Sequence, residues 1–164
     1  MTGSYILSIV IAALLGGSIG LEREYRSKEA GFRTHFLVGL GSGLFMVLSL
    51  YGFDDFVGIQ GIQRDPSRIA AQVVSGIGFI GAGTIIFRRN VVKGLTTAAG
   101  LWVTSAIGMT AGAGMFALAV VATILVLICL EGEDFIHNKV FHENKLRKDK
   151  TERLEELDGE DIEE

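Results

Sequence analysis

The chain has 164 residues, of which 49% are hydrophobic, with 22 glycines, one proline and one cysteine. Its formal charge of −4 is uneven: residues 1–130 hold nine Lys/Arg against six Asp/Glu, and residues 131–164 hold six against thirteen. Apolar blocks separated by short charged loops exclude an ordinary soluble core, a disulfide framework within one chain and a basic nucleic-acid surface.

The first apolar block covers about residues 4–20. No basic residue precedes it and no small-x-small cleavage site follows, so it reads as a membrane span and not a signal peptide. Further blocks lie at about 34–53, 66–87, 95–112 and 114–130. Residues 95–130 are free of charge. As one helix they would run ~54 Å, too long for a single crossing, so Gly112-Ala113-Gly114 reads as a turn between two spans. The connecting regions carry four, two, three, no and six Lys/Arg in chain order. That alternation places the N-terminus outside and the 21–33 loop, the 88–94 loop and the tail inside. The fold expected is all-α: an integral membrane protein, a compact glycine-rich bundle of five transmembrane helices with a cytoplasmic tail. The acidic tail, 131–164, reads as partly helical and then disordered, and too short for a sizeable core of its own.

The third block holds Gly76, Gly78, Gly81 and Gly83, which read as helix-packing positions. Gly76-Ile77-Gly78-Phe79-Ile80-Gly81 is formally GxGxxG. A dinucleotide fingerprint follows a strand, opens a helix and has an acidic residue about twenty positions on; this one sits in mid-span, with Arg88 and Arg89 after it. Asp65-Pro66 reads as an N-cap followed by proline at the first helical position. As an alternative, Asp65 with Asp54 and Asp55 offers oxygen ligands of the kind Mg²⁺ takes. At 100° per residue, Arg68, Gln72, Ser75, Gly76, Phe79 and Gly83 share one broad face near Asp65. Such a face reads either as packing or as the lining of a polar path, in both cases turned to the bundle interior or a wet cavity.

The 21–33 loop alternates in sign through Glu22, Arg23, Glu24, Arg26, Lys28 and Glu29, and Arg33, Thr34 and His35 mark the entry to the second block. The six loop residues read as a solvated topology anchor, an inner gate or a docking patch, and His35 as an interfacial hydrogen-bond partner or a group that titrates near neutrality. The pairs Gly16/Gly20, Gly39/Gly43 and Gly108/Gly112 are close-contact motifs that fit a bundle or a homo-oligomer equally. Thr96, Thr97, Thr104, Ser105 and Thr110 are hydroxyls that a helix backbone can satisfy. Cys129 reads as a small buried hydrophobe. No catalytic constellation emerges.

Three blocks together resemble the MgtC/SapB family of small bacterial inner-membrane proteins. They are Gly20–Glu24 (GLERE) with Ala30–His35 (AGFRTH), Asp65–Gly83 (DPSRIAAQVVSGIGFIGAG), and Gly94–Ala99 (GLTTAA) with Trp102. The resemblance covers about Ile11 to Ile128. It implies a multi-pass inner-membrane location, a part in adaptation to low magnesium and, in pathogens, survival in phagocytes with restraint of the F-type ATP synthase. It raises Glu22, Arg23 and Arg33 as functional residues. Longer members carry a soluble C-terminal domain where this chain has only its acidic tail. Two readings follow. One is a non-enzymatic regulator, with the lipid bilayer, a membrane complex such as the ATP synthase and its own copies as partners. The other is a Mg²⁺ or H⁺ transporter whose path runs along Asp65, Arg68, Gln72 and Gly76, with Glu22 or Glu24 at the inner mouth. Neither needs a cofactor, with Mg²⁺ the candidate bound ion.

Overall fold

The structure is a computed structural model, and it describes residues 2–53, 65–89 and 91–132. In chain order these form α1 (Thr2–Tyr25), α2 (Phe32–Tyr51), α3 (Ser67–Gly83), β1 (Ile86–Arg88), β2 (Val91–Lys93) and α4 (Leu95–Gly112). A fifth helix, α5, covers Phe116–Gly132. One compact unit runs from Met1 to Leu127 and a second starts at Ile128. Asp54, Asp55 and nearly all of the acidic tail lie outside the described residues.

The α1–α2 connection is short because both ends are capped locally. Ser27 takes a left-handed φ of 54°, and the Lys28 N–H reaches back to the Arg23 carbonyl at 3.0 Å. That is the Schellman closure of a helix C-terminus, made here with serine where glycine is usual. The Phe32 N–H that opens α2 donates to Glu24 Oε2 at 2.7 Å. A carboxylate from the end of one helix therefore caps the start of the next, where the helix dipole favours negative charge. A second Schellman turn separates α4 from α5: Gly114 has φ 81°, and the Met115 N–H reaches the Thr110 carbonyl at 3.1 Å.

Packing among α1, α2 and α4 runs through glycine. A Cβ on Gly16 would lie 2.5 Å from the His35 carbonyl oxygen, and one on Gly39 2.5 Å from that of Ala12. Between α2 and α4, a Cβ on Gly108 would lie 2.5 Å from the Gly39 carbonyl oxygen, and one on Gly112 2.5 Å from that of Gly43. Tyr5 and Tyr51 stack at 4.5 Å, so α1 and α2 are antiparallel, whereas α2 and α4 run parallel. Ser42 and Ser105 share a buried hydrogen bond of 2.7 Å across that parallel pair.

The side chains follow an order opposite to that of a soluble bundle. Ser8, Ala12, Ala13, Gly16 and Gly20 are buried on α1, while Ile6, Leu7, Leu14 and Leu21 face outward. Leu37, Leu44 and Phe45 of α2, Trp102 of α4 and Leu118 and Leu125 of α5 are likewise exposed. Small residues inside let backbones approach, and large apolar ones outside form a surface water would disfavour. By length and hydropathy, α1 and α2 each suffice to cross a bilayer.

Two larger features depart from the sequence expectation, and Cys129, expected to be buried, is exposed. α3 starts at Ser67, and the polypeptide from Thr84 to Phe87, expected as the end of the third span, is not helical. Thr84 and Ile85 donate to the Gly81 and Ala82 carbonyls and close the helix with i→i+3 bonds. The β-branched and aromatic residues that follow then pair as an antiparallel hairpin, Ile86 with Lys93, Phe87 with Val92 and Arg88 with Val91. Gly94 closes its base with φ 87°, and a Cβ there would sit 2.0 Å from the Thr84 carbonyl oxygen.

The second departure concerns α3 itself. Its polar and small face was expected to turn to the bundle interior or a wet cavity; Arg68, Gln72, Ser75, Gly76, Phe79 and Gly83 are all exposed, and of these Gln72 and Gly76 line a cleft beside α2. A Cβ on Gly76, Gly78 or Gly83 would meet no atom within 4 Å, so within this chain those three do not pack helices. The reason is that α3 leans on α4 through another side, with Ile77 and Gly81 buried and Gly81 against Ala98.

Candidate functional site

The polar interior concentrates where the end of α1, the start of α2 and the first turns of α4 converge. Arg23 continues the buried face of α1 one turn beyond Ile19 and is only 1% exposed. Its Nη2 donates to Glu22 Oε1 at 2.8 Å, and its Nε donates to Glu22 Oε2, a bidentate pair. Arg26 Nε meets Glu22 Oε1 at 2.6 Å. One carboxylate thus holds two guanidiniums at the mouth of the bundle.

His35 is fully buried on the first turn of α2. Its Nδ1 lies 3.1 Å from the Gly31 carbonyl oxygen, which can only accept, so Nδ1 carries the proton. In the neutral ring Nε2 then keeps its lone pair. Among the described residues, Nε2 of His35 and Nη1 of Arg23 are the buried side-chain polar atoms without a hydrogen-bond partner. Nε2 faces Gly100 of α4, where a Cβ would stand 3.6 Å away with no other neighbour within 4 Å. Gly100 is buried, so the imidazole looks into a small space that a side chain would fill.

α4 ties itself to the loop one turn above. Thr97 Oγ1 donates to Glu29 Oε2 at 2.9 Å. Hydrogen bonds from its own backbone N–H and from the Thr97 hydroxyl hold the Glu29 carboxyl below the usual carboxylate range. Thr104 Oγ1 donates to the Gly100 carbonyl at 2.8 Å and so satisfies itself on its own helix.

The other residues singled out from the sequence lie elsewhere. Asp65 is exposed, and its Oδ1 accepts the Ser67 N–H at 3.0 Å and the Ser67 hydroxyl. These bonds hold its carboxyl low, and the residue closes the start of α3 from one position further out than an N-cap. No three His, Cys, Asp or Glu side chains come together as a metal site among the described residues. Arg33 and Thr34 stand at one end of a cleft of 650 Å³ between α2 and α3. Gln72 and Gly76 line the α3 wall of that cleft, whereas Arg68, Ser75 and Phe79 lie on the helix surface beside it. The GxGxxG glycines fall inside α3, not between a strand and a helix.

Sequence reasoning singled out Glu22, Arg23 and His35 without their burial. It did not find the Glu29–Thr97 and Ser42–Ser105 pairs, 68 and 63 residues apart in the chain. Only the glycines beside Ser42, and Gly108 one turn after Ser105, hint at which helices approach closely enough for such a bond.

The comparisons with known proteins decide the family. The MgtC family profile matches residues 9–139. The chain belongs to the MgtC family. It is 49% identical over 147 residues to a protein of Escherichia coli K12 described as "Putative magnesium transporter YhiD", covering 90% of this chain and 65% of that one. It is 46% identical over 123 residues to "Protein MgtC" of Salmonella typhimurium LT2, covering 75% of this chain and 49% of that one. An uncharacterized protein of Haemophilus influenzae is 36% identical over 144 residues, covering 87% of this chain and 60% of that one. The chain thus spans between about half and two thirds of the length of these relatives. No solved structure matches.

Proposed function

We propose that the chain is a five-span protein of the bacterial inner membrane, with its N-terminus outside and its tail in the cytoplasm. It acts without catalysis in magnesium and ion homeostasis, by docking onto another membrane complex such as the F-type ATP synthase. The outward large apolar side chains and the inward glycines support the membrane embedding. The opposed directions of α1 and α2, and the parallel run of α2 and α4, fit alternating crossings. The names of the YhiD and MgtC relatives support the magnesium connection.

One observation carries the choice of docking over conduction. The face of α3 that a transport path would use is open on the outside of the chain, with Arg68, Gln72 and Gly76 exposed and Ser75 exposed beside them. A charged and polar ridge is costly against lipid, and a second protein covers it better than hydrocarbon does. Photo-crosslinkers at positions 75 and 79, activated in cells starved of Mg²⁺, test the reading. One membrane complex captured at both positions is expected. Adducts to lipid alone contradict it.

A further inference from the structure

The cleft between α2 and α3 has the order of an amphiphile. Arg33 and Thr34 stand at its start, on the first turn of α2, and Leu37, Phe45 and Val73 line its course. Arg33 is exposed and has no hydrogen-bond or ion-pair partner among the described residues. Both walls are cut back by glycine: Gly41 and Gly76 line the cleft, and a Cβ on either would meet nothing within 4 Å. The Ser42 hydroxyl at its floor is already bonded to Ser105.

We propose that this cleft binds one anionic phospholipid of the inner leaflet, its phosphate on Arg33 and one acyl chain along Leu37–Phe45. The inference rests on the membrane reading above and adds a ligand to it. Twelve residues of helix separate Arg33 from Phe45, roughly 18 Å of rise. One leaflet's hydrocarbon is about half of a ~30 Å core, so an acyl chain fits that length. The volume of 650 Å³ lies within the ~300–1,000 Å³ usual for small-ligand sites. The sign of the charge fits the same occupant. In the proposed topology Arg33 stands at the cytoplasmic face, where anionic headgroups attract basic side chains.

Native mass spectrometry of the full chain, released from nanodiscs of equal phosphatidylcholine and phosphatidylglycerol, tests this. One retained phosphatidylglycerol per chain is expected, in roughly five-fold excess over phosphatidylcholine, the effect of about one basic residue at an anionic surface. Arg33→Gln should bring the two lipids to parity. Gly76→Leu and, separately, Gly41→Leu should abolish retention without lowering thermal stability, because both positions have open space. Parity in the wild-type chain, or undiminished retention in both leucine variants, overturns the proposal. A second copy crosslinked across Gly41 and Gly76 overturns it equally. Alkaline extraction separates the two layers of the claim. A chain that leaves the membrane pellet refutes the membrane reading, and one that stays there yet prefers no lipid refutes the lipid site alone.

Discussion

Gly39 of α2 and Gly108 of α4 meet backbone to backbone, with a Cβ on Gly108 placed 2.5 Å from the Gly39 carbonyl oxygen. Gly39 is also pressed against α1, where its own Cβ would lie 2.5 Å from the Ala12 carbonyl oxygen. One residue without a side chain therefore sets two helix separations at once. Gly39→Leu or Gly108→Leu must push helices apart, at a cost of at least the 1–3 kcal/mol usual for overpacking. Thermal unfolding in detergent should show the loss. Gly76→Ala and Gly78→Ala should leave the midpoint unchanged or raise it, since nothing stands near either position and alanine favours helix by about 1 kcal/mol.

Arg23 is buried against Glu22, which Arg26 also holds. Arg23→Met removes one cation from that cluster and should destabilise the chain by about 3 kcal/mol, the lower end for breaking a buried pair. Arg23→Lys should recover only part of this, because an ammonium cannot make the two parallel bonds of the guanidinium. Chemical or thermal denaturation of the two variants side by side reads the difference.

The lone pair on His35 Nε2 faces the space beside Gly100. Gly100→Ser adds a hydroxyl that can donate to it, and Gly100→Ala adds only a methyl in ordinary contact. The serine variant should be the more stable by about 1 kcal/mol, the net worth of a hydrogen bond. Equal stabilities in an otherwise intact fold would remove His35 from this space.

Glu29 gives the acid response its sign. Its carboxyl titrates below the usual range in the folded chain, so the stability it contributes is present above the ordinary Glu value and is lost as pH falls through the lowered one. The α4 attachment should therefore weaken below about pH 4.3. Thr97→Val removes one of the two bonds and should raise the Glu29 pKa toward its ordinary value, read by carboxylate infrared bands or NMR.

What could be read from the sequence divides along physical lines. The helical runs followed from length and hydropathy, and the turn at Gly112–Gly114 from its glycines. The pairs Gly16/Gly20, Gly39/Gly43 and Gly108/Gly112 carry their spacing openly, though not which pair meets which. The hairpin at 86–93 was hidden because Ile85, Ile86 and Phe87 are as apolar as the helix before them, and only their β-branched and aromatic character marks the change. The outward turn of Gln72 and Ser75 was hidden too, because periodicity gives a face and not the direction in which it points. Arg23 was visible as a charge near a membrane boundary; its burial depends on Gly20, which lets the start of α2 come close enough to cover it.

The central claim is docking without conduction, and flux through the purified full chain tests it most directly. Liposomes loaded with Mg²⁺- and pH-sensitive dyes should respond to ion gradients as empty vesicles do, with Gln72→Leu indistinguishable from the wild-type chain. Saturable Mg²⁺ or H⁺ flux that Gln72→Leu abolishes would contradict the account.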